Sequence, residues 1–234
     1  MKTCAMKKKP RQRAARIQSS VALFFFVVVA SLSGCAHSPA KPESPARSHS
    51  LHVQGDFATY TYTGTHVGET VKVHYNVERV DQLLVRFQVE AERDGEKRSW
   101  VQELVDTPAN RDTNTMKAVY VKREGQWKQL PNTDNRDLKV LYEWTLPNGT
   151  FRQGGKAFPY SSWTEVGGER FPTRCVDVDG HLGLVPVTMH RCESDDFPWR
   201  HLEASIRAQA TNELLWGVVL ESNGRVEQPT PEQK

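Results

Sequence analysis

Side chains able to do chemistry crowd one stretch of this 234-residue chain, between positions 175 and 201. Cys175, His181, His190 and Cys192 supply two thiols and two imidazoles, a donor set that zinc accepts. The same thiols can instead be joined as a disulfide across a hairpin. The spacing matches no common zinc motif: Cys175 and His181 are separated by five residues, His190 and Cys192 by one. Strand alternation puts His190 and Cys192 on one face. Glu193, Asp195, Asp196 and His201 offer paired carboxylates and an imidazole for acid–base work. Read more plainly, they form an exposed loop closed by Pro198 and Trp199, with His201 on the wetted face of the next strand. Asp177-Val178-Asp179-Gly180 opens like a calcium loop, but position twelve counted from Asp177 is Thr188 rather than Glu. We read it as a strand running into a turn near Gly180 or Gly183. Hydrolase elbows, zinc-protease helices and phosphate-binding glycine loops are missing from the sequence. No metal or cofactor is expected. Of six tryptophans, Trp163, Trp144 and Trp216 are the candidate aromatics for a ligand groove, against the plainer role of core packing.

The elements that must position these residues read as strands. Val71, Val73, Tyr75 and Val77 alternate with polar neighbours, as do Val85, Phe87, Val89 and Ala91. Leu202, Ala204, Ile206 and Ala208 repeat the pattern, and Leu214, Trp216, Val218 and Leu220 share one face. Val140, Tyr142, Trp144 and Leu146 suggest another strand. A period of two marks strands with one buried and one wetted face. Asp94-Gly95, Glu124-Gly125, Asn148-Gly149, Gly154-Gly155, Gly167-Gly168, Asp179-Gly180 and Asn223-Gly224 punctuate these runs with tight-turn chemistry. The expected fold is all-β, an antiparallel meander of about ten strands in a strongly curved sheet or open barrel. No helix is expected after residue 56.

Charge divides the chain. Seven Lys and Arg and no acidic residue lie in 1–34, which leaves 24 basic against 28 acidic residues in the remainder. The basic pI of 8.6 therefore belongs to the leader, and the mildly acidic body excludes a nucleic-acid binder, which needs clustered basic surface.

Behind the positive stretch comes an apolar run of a dozen residues, Val21 to Leu32, too short for a bilayer core that takes about 20 helical residues. Leu32-Ser33-Gly34-Cys35 follows. Charge, short apolar run and small residues ending in Cys resemble the lipobox leader of bacterial lipoproteins. The resemblance implies cleavage between Gly34 and Cys35, a diacylglyceryl group on the Cys35 thiol, and anchoring by two or three acyl chains. Ala36 in place of Asp implies delivery to the outer membrane. Residues 1–34 are then signal peptide, 35–55 the acylated cysteine and a flexible Ala/Ser/Pro-rich tether with solvated histidines His37, His49 and His52, 56–224 the β domain, and 225–234 a tail. Export to an oxidising compartment favours a Cys175–Cys192 disulfide over zinc. In broad pattern the domain resembles half-barrel lipoprotein carriers without their plugging helices. The implied function is a non-enzymatic envelope lipoprotein that binds or scaffolds a periplasmic ligand or partner, an amphiphile or a protein. A periplasmic hydrolase built on 193–201 is the alternative.

Overall fold

The computed structural model describes residues 50–107, 110, 116–131 and 135–226. The leader, Cys35 and the tether as far as residue 49 lie outside the described residues, as does the tail from 227. Eleven strands are described: β1 (Asp56–Thr63), β2 (Val71–Asp81), β3 (Leu84–Arg93), β4 (Glu96–Val105), β5 (Met116–Arg123), β6 (Gln126–Gln129), β7 (Phe151–Val166), β8 (Glu169–Leu182), β9 (Val185–Glu193), β10 (His201–Ala208) and β11 (Leu214–Arg225). They form one antiparallel sheet in the order β6-β5-β4-β3-β2-β1-β11-β10-β9-β8-β7. Two meanders, β1–β6 and β7–β11, are joined where β1 pairs with β11, Tyr62 opposite Val218. The edges β6 and β7 do not pair, so the sheet is open rather than a closed barrel.

Local chemistry explains the meanders. Asp94-Gly95 and Glu124-Gly125 both have positive φ at the two central positions, the type I′ geometry that follows strand twist. Along β1 every second residue is buried, Ala58, Tyr60 and Tyr62 among them. Val85, Phe87, Val89 and Ala91 of β3 face the same core. The sheet curls toward that face. Four strand spacings separate β7 from β11, about 19 Å if flat. Yet Gly167, just past β7, stands near enough that a Cβ built on it would lie 4.0 Å from Asn223 Oδ1 of β11.

The segment from β6 to β7 must pass from one edge of the sheet to the other, and it does so over the core face. It contains a short helix, α1 (Asn135–Tyr142), which corrects the expectation of a strand over Val140–Leu146 and of no helix after residue 56. Leu138, Leu141 and Tyr142 have helical spacing and pack on the core, while Val140 is exposed. Trp144 and Thr145 are buried beyond the helix, and the Trp216 indole N–H donates to the Thr145 carbonyl at 2.8 Å. The curled sheet thus carries a plug on its core face, made of one helix and a loop.

The β domain also starts earlier than its pattern suggests. Ser50 donates through its backbone to the Gln82 carbonyl, and its hydroxyl bonds Asp106. His52, expected as a solvated linker residue, is buried against Phe87 and Trp199, with ring centroids 5.1 and 4.7 Å away. At the other end Arg225, expected in the tail, closes β11 with an ion pair to Asp56 at 2.7 Å.

Candidate functional site

Antiparallel register turns the cysteine-rich stretch into a patch. Across β7, β8, β9 and β10, Tyr160, Cys175, Cys192 and Glu203 lie in one row, and Phe158, Asp177, His190 and Ser205 in the next. Both rows occupy the sheet face away from the core, because Val178, Val187 and Ile206 point the other way. Cys175 and Cys192 are directly opposed and joined as a disulfide, with both residues almost wholly buried. A staple over a loop of this length stabilises by about 3 kcal/mol through the unfolded chain. His181, proposed with them as a ligand, is exposed further along β8, opposite Pro186.

His190 is the hub. Its Nδ1 lies 2.7 Å from Asp177 Oδ1 and 3.4 Å from the Tyr160 hydroxyl. Its Nε2 lies 3.3 Å from Cys192 Sγ and 3.6 Å from Glu203 Oε1. Glu203 raises the His190 pKa above its ordinary value, burial opposes this, and Asp177 adds to the rise. In return His190 holds the Glu203 carboxyl below the usual range, against partial burial. Asp177, His190 and Ser205 put the residue types of a hydrolytic triad side by side. Among the described residues, however, the Ser205 hydroxyl makes no hydrogen bond to His190, whose Nε2 faces Cys192 instead. Asp177 and Asp179 sit in a continuous strand, and the turn falls at Gly183. Asp179 Oδ1 accepts from Thr188 at 2.8 Å, so these carboxylates are bound into the sheet.

Asp177, His190, Glu203 and Ser205 of the patch line a trough of about 770 Å³, which continues past Arg207 and Asn212 to Thr63 and Val219. That volume falls in the range of ligand sites. The core face holds a second space of only about 120 Å³, lined by Tyr60, Tyr62, Tyr75, Phe87, Tyr142 and Trp199. It is smaller than an engineered cavity that just admits benzene.

The acid–base cluster expected over 193–201 does not assemble. Glu193 is buried on the core side, its carboxylate 3.0 Å from Arg191 Nε, 3.1 Å from Arg200 and 3.3 Å from His201 Nδ1. Asp195 is exposed, 3.9 Å from Arg174 and Arg200, and Asp196 is exposed as well. His201 is not on a wetted face but beside Glu193, and burial lowers its pKa, with Glu193 opposing.

The aromatic candidates separate by position. Trp144 and Trp216 belong to the core and line neither space, which corrects their assignment to a groove. Arg98 sits 3.7 Å over the Trp144 ring. Trp163 is exposed on β7 under the Arg170 guanidinium, 5.1 Å away, and lies outside the trough. The aromatics beside the patch are Phe158 and Tyr160, both exposed and neither among the three candidate tryptophans. Two-residue alternation along β7 itself, Phe158, Tyr160 and Ser162 on one face, would have found them.

No protein-family model matches the chain, and no curated protein does either. Among solved structures, the chain is similar to a Bacteroides fragilis protein provisionally named as exported and given a YmcC-like fold, at 11% identity and TM-score 0.39, over 77% of this chain and all of that one. It is similar to a Parabacteroides distasonis protein provisionally named a lipoprotein, at 9% identity and TM-score 0.41, over 76% of this chain and 99% of that one. MucB matches at 14% identity and TM-score 0.38, over 77% of this chain and 56% of its own. Likenesses this distant carry no functional argument.

Proposed function

We propose that this is a lipid-anchored protein of the bacterial cell envelope whose β domain binds a polar segment of a partner protein and catalyses nothing. The lipobox-like leader ending at Cys35 supports the location, with delivery to the outer membrane following from Ala36. The observation that carries the binding reading is the 770 Å³ trough across the outer face of β8–β11, with hydrogen-bonding groups from Asp177, Thr188, His190, Glu203 and Arg207. The 120 Å³ space on the core side falls below the size of ordinary ligand sites, which favours a partner on the surface over a small molecule inside. Binding along a sheet edge is disfavoured at both ends. β6 is four residues long, and β7 carries Pro159, which has no N–H to give. A partner segment therefore lies across the face.

The test places a photoreactive residue at Ser205 of the full chain in its host, and separately at the exposed Lys122 of β5. A discrete adduct from Ser205, absent from Lys122 and abolished by Thr188→Trp filling the trough, is the expected result. Equal adducts from both positions, or none from Ser205, overturn the reading. In parallel, Cys35→Ser should lose incorporation of a palmitate analogue and leave the membrane fraction; retention of the label would remove the anchor.

A further inference from the structure

The side chains packed on the Cys175–Cys192 disulfide are arranged as the shell of a metal site. The ligand atoms of Cys175, His190 and Cys192 all lie within 4.8 Å of one another. Zinc bonds of about 2.3 Å to sulfur and 2.0–2.2 Å to nitrogen or oxygen put tetrahedral ligand atoms roughly 3.3–3.8 Å apart. His190 Nε2 already stands 3.3 Å from Cys192 Sγ and 3.6 Å from Glu203 Oε1. A second observation is independent of these distances. Asp177 Oδ1, 2.7 Å from His190 Nδ1, is placed to accept from Nδ1–H, and in the neutral imidazole that leaves the Nε2 lone pair for a metal. Ligating histidines are oriented by a carboxylate in this way. Only the two sulfurs are too close, because they are bonded, and rotation about Cα–Cβ of each cysteine separates them. The fourth donor is thus Glu203 rather than His181.

We propose that the dithiol form of the protein holds a thiophilic divalent cation of the zinc class on Cys175 Sγ, Cys192 Sγ, His190 Nε2 and the Glu203 carboxylate, with Asp177 as the positioning residue. Binding releases the two thiol protons to water. A disulfide-bearing oxidant then ejects the ion: the two thiolates give two electrons to the oxidant's S–S bond, which breaks and takes up two protons as a dithiol, while the Cys175–Cys192 bond forms. The cation and the disulfide are alternative closures of β8 on β9. Of the four ligands, His190 and Glu203 line the trough, while the two cysteines are buried beneath them.

The test compares the full chain, purified and either oxidised or reduced with a phosphine, after zinc loading and desalting without oxygen. The expected result is roughly one zinc per reduced chain and essentially none per oxidised chain. Cobalt in the reduced form should show thiolate charge-transfer and tetrahedral visible bands. His190→Ala and Glu203→Gln keep both cysteines and fold with the staple before reduction; each should weaken zinc at least roughly tenfold, while His181→Ala should not. Equal zinc in both redox forms would place binding elsewhere, and zinc retained in full by His190→Ala would mean two thiols acting in an unfolded chain. Either result overturns the proposal, as does a reduced chain that takes up no zinc.

Discussion

Glu193 sits where a carboxylate is costly. Burial alone pushes its pKa up, but His201, Arg191 and Arg200 outweigh burial and hold it at about 2. An unfolded glutamate titrates near pH 4.3. The folded pKa is depressed, so the stabilisation is fully present above about pH 4.5 and is lost as pH falls toward 2. Urea midpoints of the chain should therefore fall between pH 5 and pH 2.5, and Glu193→Gln should flatten that fall. At pH 7 the same substitution removes the buried carboxylate that two half-buried guanidiniums share and should cost about 2 kcal/mol. An unchanged midpoint at pH 7 would show that the cluster contributes nothing. None of this was legible in the residue types: Glu193, Asp195 and Asp196 look alike in sequence. Only the turn that swings Arg200 back onto Glu193 separates a locked carboxylate from two solvated ones.

Strands β7 and β8 make the longest pairing in the sheet, and it must stay tight for Tyr160 and Phe158 to border the His190 patch. Gly180 is what allows this. A Cβ built there would stand 2.5 Å from the Arg152 carbonyl oxygen and 2.6 Å from the buried Phe151 ring. Gly180→Ala should cost about 2 kcal/mol by forcing the strands apart, read as a lower thermal midpoint and faster amide exchange across β7. Full retention of both would show that the ring yields freely. The sequence reading took Asp179-Gly180 for a turn because that dipeptide is common in turns. Here Gly180 serves close approach inside a strand, a use that depends on the partner strand and cannot be seen locally. The same limit explains α1. Val140 and Tyr142 of the helix, with Trp144 and Leu146 just after it, satisfy a strand pattern, but the segment has no strand to pair with as it crosses the core face.

The plug and the curled sheet enclose four of the six tyrosines. Tyr60, Tyr62 and Tyr142 are held well above the ordinary phenol range and Tyr75 is pushed up to about 12, burial being the largest cause for each. These are acids with raised folded pKa, so the folded state is favoured below pH 10 and loses that advantage above it. Absorbance at 295 nm should show these four phenols ionising together with unfolding in alkali, coincident with loss of the far-ultraviolet strand signal. Ionisation well before that loss would mean the core face is open to water. The tyrosines also tie the halves of the molecule: the Tyr60 hydroxyl of β1 donates to the His201 carbonyl of β10 at 2.9 Å.

Alternation with a period of two, punctuated by Asp-Gly and Glu-Gly, was enough to specify an antiparallel sheet and the inward faces of β2, β3, β10 and β11, because side-chain direction in a strand follows from the backbone alone. The lipobox-like pattern ending at Cys35 is likewise a local feature of the sequence. The pairing of β1 with β11, the path of the plug and the gathering of Asp177, His190, Cys192 and Glu203 were decided only in three dimensions. Each joins residues by register between strands, and register is set by how the whole apolar face is covered, which no single stretch of chain contains.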